Sequence, residues 1–407
     1  MKPLQQGEIK MKNIRKMART TLAAMLVAAG LAGSGAWASE TYKIVSLLDY
    51  SGPFANRGKP VEQMQRLLVD WYNETRGAER GVSIELDPVD TGYDQAKTVQ
   101  AYERALQDDK LIGFVTFGSP NVIALQNRLP ENKFPAVHGG PSYSLMEKGS
   151  WVFTPLNDYA RYFAAAVDWR LASWEGSEDM KVAFATFDGS SGRDWAEGLK
   201  NRMSDRNIVI VLEEFISPRA LEVTVNVERI IEADPDFVIV AGTDQLQPMI
   251  LSELHANDFD MTRVLNSQHE GLGLLDLLGV PGEVLEGAYE VTTENYADQT
   301  TEAFKIYDER KDNYDTRWAA DTLLHYPSIM VMLDAIDRAI EKNGGDRISG
   351  QQVYDELANG TFDGRGLLGD IKFSNETDPT LGAAAVVILQ QKDGQITQAS
   401  DFIPLEN

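Results

Sequence analysis

From Tyr42 onward, short runs rich in β-branched and aromatic residues alternate with stretches whose apolar positions recur every three or four residues. KIVSLL (Lys43 to Leu48) reads as a buried strand, and Val61, Met64, Leu67, Leu68, Trp71 and Tyr72 then fall on one helical face. SIELD (Ser83 to Asp87) precedes a helix near 95–107, and LIGFVTF (Leu111 to Phe117) precedes another from Asn121. After a helix at 159–173 the order restarts: KVAFATF (Lys181 to Phe187), a helix near 194–204, IVIVL (Ile208 to Leu212), a helix near 223–232, and FVIVAG (Phe237 to Gly242). Apolar strands alternating with amphipathic helices predict parallel sheets covered on both faces, so the fold class is α/β with two βα units in one chain.

A third section, 302–342, has helical periodicity, with Pro327 expected to kink or break it. The tail closes with AVVILQQ (Ala385 to Gln391) turning through Lys392-Asp393-Gly394, a hairpin signal. No Gly/Ser-rich or Pro-rich linker separates the two units, so they are expected to join by direct crossings near Asp158, Val291 and Phe373. Each lobe is then built from separate pieces: residues 39–158 plus 292–372 for lobe 1, and 159–291 plus 373–407 for lobe 2.

The first 38 residues have a different pattern. Lys12, Arg15, Lys16 and Arg19 precede an apolar, alanine-rich run from Thr21 to Ala32 and then Ala36-Trp37-Ala38, the order of a cleavable secretory signal cut before Ser39, with Met11 a plausible start. The run is shorter than the roughly 20 residues that span a bilayer, which counts against an anchor. The chain has no cysteine, so neither disulfides nor a lipid-bearing thiol are available to an exported protein. Its net charge of −24, more negative still without the basic leader, argues against nucleic acid and anionic membrane surfaces as partners. The expectation is a free periplasmic protein with no direct membrane insertion.

In open α/β sheets ligands bind beyond the carboxyl ends of strands. The segments there are Asp49 to Gly58, Gly118-Ser119-Pro120-Asn121 and His138-Gly139-Gly140-Pro141-Ser142 in the first unit. In the second they are Asp188-Gly189-Ser190-Ser191-Gly192, Thr243-Asp244-Gln245 and Ser267-Gln268-His269-Glu270-Gly271. Glycines let a ligand approach the backbone, and N–H groups at a helix start favour an anion. One unit thus offers anion donors and the other offers Asp244 and Glu270, a polarity that fits a zwitterion.

At these residues the chain resembles the branched-chain amino-acid-binding (Leu/Ile/Val-binding-like, type I) periplasmic solute-binding proteins of ABC importers, from about Tyr42 to the C-terminus. The resemblance is carried by SGPFANRG, the FxxxGS loop FVTFGS, FPAVHGGPS, PLNDYARYFAAAVDW, KVAFATFDGSSG, DPDFVIVAG, NSQHEG, LEGAYEV and GLLGDIKFS in that order. It implies two Rossmann-like lobes joined by a multi-crossing hinge around a ligand cleft. It also implies that Gly118, Ser119, Gly140, Pro141 and Ser142 bind a carboxylate and Glu270 an ammonium group. The chain departs from relatives that take leucine or valine at Arg57, Ser191 and Asp244, which points to a more polar ligand or to a second acid facing Arg57. Each residue also has a plainer reading: Arg57 paired with Glu62 at the surface, Ser119 and Ser142 as helix caps, and Asp244 and Glu270 as helix-start acids. Tyr50, Tyr93, Tyr143 and Trp318 are the aromatic candidates. The implied function is delivery of an amino acid or related small carboxylate or amide to ABC permease subunits in the inner membrane, by a monomer that needs no cofactor or metal and is not an enzyme. The alternatives are an extracytoplasmic ligand sensor, or a binder of an aromatic acid or other non-amino-acid solute.

Catalytic motifs are missing. His138, His255, His269 and His325 are the only histidines, and His269-Glu270 is not followed by a second histidine four residues on. Phe117 to Asn121 lacks the glycines of a nucleophile elbow, no G-x-x-x-x-G-K-[ST] loop occurs, and Glu213-Glu214 reads as a pair of solvated charges.

Overall fold

The structure is a computed structural model that describes residues 40–52, 55–140, 149–243, 245–267, 271–275, 278–323, 325–374 and 382–405. The expected signal peptide, 1–38, lies outside them.

The first sheet contains β1 (Glu40–Leu48), β2 (Val82–Asp90), β3 (Leu111–Thr116), β4 (Ala136–His138) and β5 (Val152–Phe153) in the order β2-β1-β3-β4-β5, all parallel. Tyr42, Ile44, Val45, Leu47 and Leu48 of β1 are buried, because helices cover both faces of this central strand. Strand β2 runs to Asp90, past Pro88, further than SIELD suggested; it lies at the sheet edge, where proline's missing N–H is tolerated. Helices α1 (Ala55–Tyr72), α2 (Gln95–Ala105) and α3 (Ser119–Leu125) connect the strands.

The second sheet begins after helix α4 (Tyr159–Ala172). It is made of β6 (Met180–Phe187), β7 (Ile208–Ile216), β8 (Phe237–Ala241), β9 (Val264–Ser267) and β10 (Tyr289–Thr292), with helices α5 (Ser190–Met203), α6 (Thr224–Glu232), α7 (Leu246–Ala256) and the single turn α8 (Leu272–Leu275). Its order, β7-β6-β8-β9-β10, repeats the order of the first sheet. Helix α5 starts at Ser190 rather than near Asp194, so Ser191 belongs to its first turn and not to a loop. Glu214 is a second correction: it is buried and held by Asn226 (2.6 Å) and Arg229 (3.1 Å), whereas its neighbour Glu213 pairs with Lys200 at 2.9 Å.

After β10 the chain returns to the first sheet through α9 (Glu302–Asp308), α10 (Tyr326–Lys342) and α11 (Gly350–Ala358), then β11 (Thr361–Phe362) and β12 (Ile371–Lys372). Pro327 does not kink a helix; it lies in the first turn of α10, where no N–H is required. The side chains of Ile329, Met332, Leu333, Ile336 and Ile340 pack with Leu67, Leu68 and Tyr72 of α1 in the core under the first sheet. That core is braced by Arg365, 6% exposed, which donates to both oxygens of Asp334 (2.8 and 3.0 Å), while Arg76 reaches the same carboxylate at 2.6 Å.

Strands β13 (Ala385–Lys392) and β14 (Gln395–Gln398) then add to the second sheet antiparallel, and β15 (Ile403–Pro404) pairs with β13. Asp393 and Gly394 take φ of 53° and 74°, the left-handed pair that a two-residue hairpin needs. The passages between the sheets bond to one another: Gly382 N–H donates to Thr154 O (2.8 Å), the Asn157 side chain to Ala383 O (3.0 Å), and Asn295 N–H to Leu367 O (2.6 Å).

Candidate ligand-binding site

In both sheets the strand order reverses beside the first strand, between β1 and β3 and between β6 and β8, and ligands bind at such switch points. At the first, Asp49 follows β1 fully buried, and its Oδ1 accepts the Gly52 N–H at 2.5 Å. The turn is fastened to the end of β2, since Tyr50 N–H and Ser51 Oγ donate to Asp90 at 2.9 and 2.7 Å. Gly58 then lies flush on Asp49: a Cβ there would come within 1.9 Å of the Asp49 carbonyl oxygen. This contact brings the first turn of α1, and Arg57 with it, down onto the carboxyl end of β1.

Arg57 is only 7% exposed, which counts against the plainer reading of a surface arginine. Glu62, suggested as its surface partner, is instead bound by Tyr50 Oη (2.7 Å), Lys59 (3.0 Å) and Arg66 (2.7 Å). The guanidinium is thus buried at the first switch point, where its charge acts on His325.

The Gly118-Ser119 segment, at the end of β3, adjoins Tyr93. Gly118 has φ of 91°, and a Cβ there would fall 2.5 Å from the Tyr93 ring. The Tyr93 hydroxyl bonds to the Ser119 backbone at the start of α3. Tyr93 is one of the aromatic candidates, and burial, then the Asp49 charge, raises its pKa. The other aromatics have assigned roles here: Tyr50 binds Glu62, and Trp318 packs on Phe304 and Tyr307 while its Nε1 donates to Tyr296 O at 2.9 Å.

Two buried histidines lie at the end of β4: His138, which opens the candidate segment 138–142, and His325, which no sequence motif singled out. His138 Nδ1 pairs with Thr116 Oγ1 at 2.9 Å, and burial pushes its pKa down to about 4. His325, the residue before α10, meets the Phe117 ring edge-on with centroids 4.7 Å apart. Burial, then His138 and Arg57, depress its pKa to about 3, so both imidazoles are neutral. Gly139 and Gly140 pass these rings with little room: a Cβ on Gly139 would fall 1.9 Å from His325 Nδ1, and one on Gly140 would fall 3.3 Å from His138 Nε2. No local pattern around His325 announces this, because Gly139 and Phe117 lie far away in sequence.

The second sheet presents a different set. At the end of β6, Ser191 is exposed and Asp188 pairs with Arg193 at 2.7 Å. At the ends of β8 and β9, buried Gln247 accepts the Gly242 N–H (2.9 Å) and donates to Asn266 Oδ1 (2.6 Å), while Ser267 Oγ donates to Gln247 Oε1 at 3.2 Å. Below them, buried Glu290 accepts the Leu272 N–H and the Tyr296 hydroxyl, and burial pushes its carboxyl up to about 8 and that of Glu294 up to about 7. Of the residues inferred as ligand contacts, Pro141, Ser142, Asp244 and Glu270 lie outside the described residues, as do Tyr143 and His269. The structure therefore brings Arg57, Gly118, Ser119 and Gly140 together at one sheet end and puts Ser191 at the end of the other. Among the described residues, no group of three or more His, Cys, Asp or Glu is placed to hold a metal, and no helix is long and apolar enough to cross a membrane.

Two α/β sheets of one repeated strand order, joined by bonded chain passages, define a type I periplasmic-binding-protein fold. The chain belongs to the periplasmic binding protein family, whose model matches residues 41–395. It is 24% identical over 393 residues to the Leu/Ile/Val-binding protein homolog 7 of Brucella suis biovar 1 (strain 1330), covering 92% of this chain and 95% of that one. Its fold is similar to a branched-chain amino acid ABC transporter from Thermus thermophilus with bound valine (TM-score 0.74, 19% identity, 90% of this chain and 97% of that one). It is also similar to a fatty acid ABC transporter substrate-binding protein from Thermomonospora curvata (TM-score 0.72, 18% identity, 90% and 93%).

Proposed function

We propose that this chain is the periplasmic solute-binding component of an ABC importer. It would hold an amino acid or related small carboxylate or amide between its two lobes and deliver it to membrane permease subunits. The observation that carries the reading is the repeated switch-point topology, with glycine-rich strand ends and Arg57 at one sheet and the Gln247–Asn266–Ser267 network at the other. The lobes, 39–158 plus 292–372 and 159–291 plus 373–407, would close on the solute, which stabilises the closed form by binding it more tightly than the open one. Gly118, Ser119, Gly140, Pro141 and Ser142 would receive a carboxylate and Glu270 an ammonium group, with Arg57, Ser191 and Asp244 setting the preference for the rest of the solute. The leader 1–38 would direct export, and the protein performs no catalysis in this reading.

A thermal-shift screen over amino acids, amides, dicarboxylates and aromatic acids tests it. A ligand present at a hundredfold its Kd stabilises the folded state by about 2.7 kcal/mol, enough to raise the melting temperature measurably. Glu270→Ala should weaken an amine-bearing ligand at least tenfold. An unchanged dissociation constant removes Glu270 from the site, and a ligand bound outside the interlobe crevice in a co-crystal overturns the reading.

A further inference from the structure

Between the β13–β14 hairpin and the passage that returns to the first sheet lies a cavity of about 710 Å³, within the roughly 300–1,000 Å³ of small-molecule pockets. Gln391 and Gln395 line it from the hairpin, Gly282 from the single helical turn Gly282–Leu285, and Tyr296, Gln299 and Trp318 from the passage. None of Arg57, Gly118, Ser119, Gly140 and Ser191 lines it. Gln391 is fixed beside the start of β10, where Gly287 N–H donates to its carbonyl (2.8 Å) and its own N–H donates to Ala288 O (3.0 Å). The candidate solute contacts lie at the opposite, carboxyl ends of the strands.

The Gln391 side chain is what marks this cavity as a site. The residue is only 6% exposed, it lines the cavity, and among the described residues none hydrogen-bonds its amide. The space in front of that amide is open: beyond its own helical turn, a Cβ on Gly282 would meet only Gln391 Nε2 within 4 Å, at 3.7 Å. The aromatic wall is held in place. Tyr296 Oη donates to Glu290 at 2.5 Å, and Trp318 donates from Nε1 to Tyr296 O at 2.9 Å while packing on Phe304 and Tyr307.

The lining also selects by charge. Among the described residues that form it, none is Asp, Glu, Lys, Arg or His, although the chain is 25% charged. An ionised guest would leave water and find no counter-ion, and a wholly apolar one would leave the Gln391 amide unpaired; both are unfavourable. A hydroxyl donates and accepts, as does a glutamine amide, and the Tyr296 and Trp318 rings supply apolar area for the carbon face of such a guest.

We propose that this cavity is a second binding site, separate from the strand ends, for an uncharged polyhydroxy compound of mono- or disaccharide size. Gln391 is its central hydrogen-bonding residue and Gly282 keeps the approach to it clear.

Isothermal titration with D-glucose and maltose, and with D-glucuronate and protonated D-glucosamine as charged congeners, tests the site. At least one neutral sugar should bind with a Kd below about 1 mM, and at least tenfold more tightly than either charged congener. Gln391→Met, which keeps the shape and removes the amide, should weaken that sugar at least fivefold. Gly282→Leu, which fills the space before the amide, should weaken it at least tenfold. Denaturant midpoints identify a variant that fails to fold, and the other then carries the test. Absence of binding by both neutral sugars, or a charged congener bound within tenfold of the better one, overturns the proposal. Unchanged affinity in either folded variant places the sugar elsewhere and overturns it as well. Each of these failures leaves the interlobe reading standing, because none of the strand-end residues named above lines the cavity.

Discussion

The Tyr296 hydroxyl donates to Glu290 Oε2 at 2.5 Å, and the same oxygen accepts the Leu272 N–H at 2.7 Å. Glu290 lies in β10, Tyr296 on the passage back to the first sheet, and Leu272 just past the 268–270 segment, so one buried carboxyl ties all three together.

This arrangement has a pH consequence. Glu290 has a folded pKa of about 8 against an ordinary 4.5, so the folded chain retains a proton that the unfolded chain releases. Its contribution to stability is complete below the unfolded value and is lost as pH rises through the folded one, by at most about 1.4 kcal/mol for each pH unit crossed between the two. Glu294, raised to about 7, acts in the same direction. The melting temperature should fall from pH 5 to pH 8, and Glu290→Gln should flatten that slope. Identical slopes for the two proteins would show that Glu290 does not carry the proton.

Asp334 answers to two arginines in a buried place. Asp334→Ala leaves Arg365 buried without its anion and should cost about 3–5 kcal/mol in urea unfolding, whereas replacing Asp334 and Arg365 together by leucine and methionine should cost much less. Equal losses would mean that the pair itself, not the stranded charge, sets the energy.

Gly58 is required by proximity rather than by backbone dihedral. A methyl group there would meet the Asp49 carbonyl at 1.9 Å, and backbone cannot yield cheaply. Gly58→Ala should destabilise by about 1–3 kcal/mol and, by lifting Arg57 off β1, weaken solute binding more than Ala substitution at an exposed helix site.

Gln247 joins the ends of β8 and β9 through Gly242, Asn266 and Ser267. Gln247→Leu strands those buried groups and should cost about 2–4 kcal/mol, since each unsatisfied partner contributes about 1–3 kcal/mol. Solute affinity should drop with it, because Ser267 leads directly into the 268–270 segment. Unchanged affinity in a destabilised protein would restrict Gln247 to a structural role.

Much of this architecture was legible along the chain. Strand runs such as Lys181 to Phe187 and the 3.6-residue stripe from Val61 to Tyr72 are local periodicities, and a residue's side of a strand or helix follows from its spacing. The Asp393-Gly394 turn was equally local, because its left-handed backbone depends on the two residues themselves. The start of α5 at Ser190 was not legible, since serine and glycine in a first turn also read as loop.

The site was legible only in part. Glycine-rich strand ends marked Gly118 and Gly140 as points of close approach. That Arg57 is buried rather than solvated follows from α1 pressing on Asp49, and no run of residues around Arg57 encodes that distance. His325 is the clearest case: it gains meaning from Gly139 and Phe117, residues far earlier in the chain. Sequence alone therefore determined the alternation of strands and helices, the hairpin and the acidic surface, because each depends on neighbours within a few residues or on composition. Only the tertiary structure decided which charges are buried and which polar atoms lack partners, because burial and proximity are properties of chain segments that meet after folding.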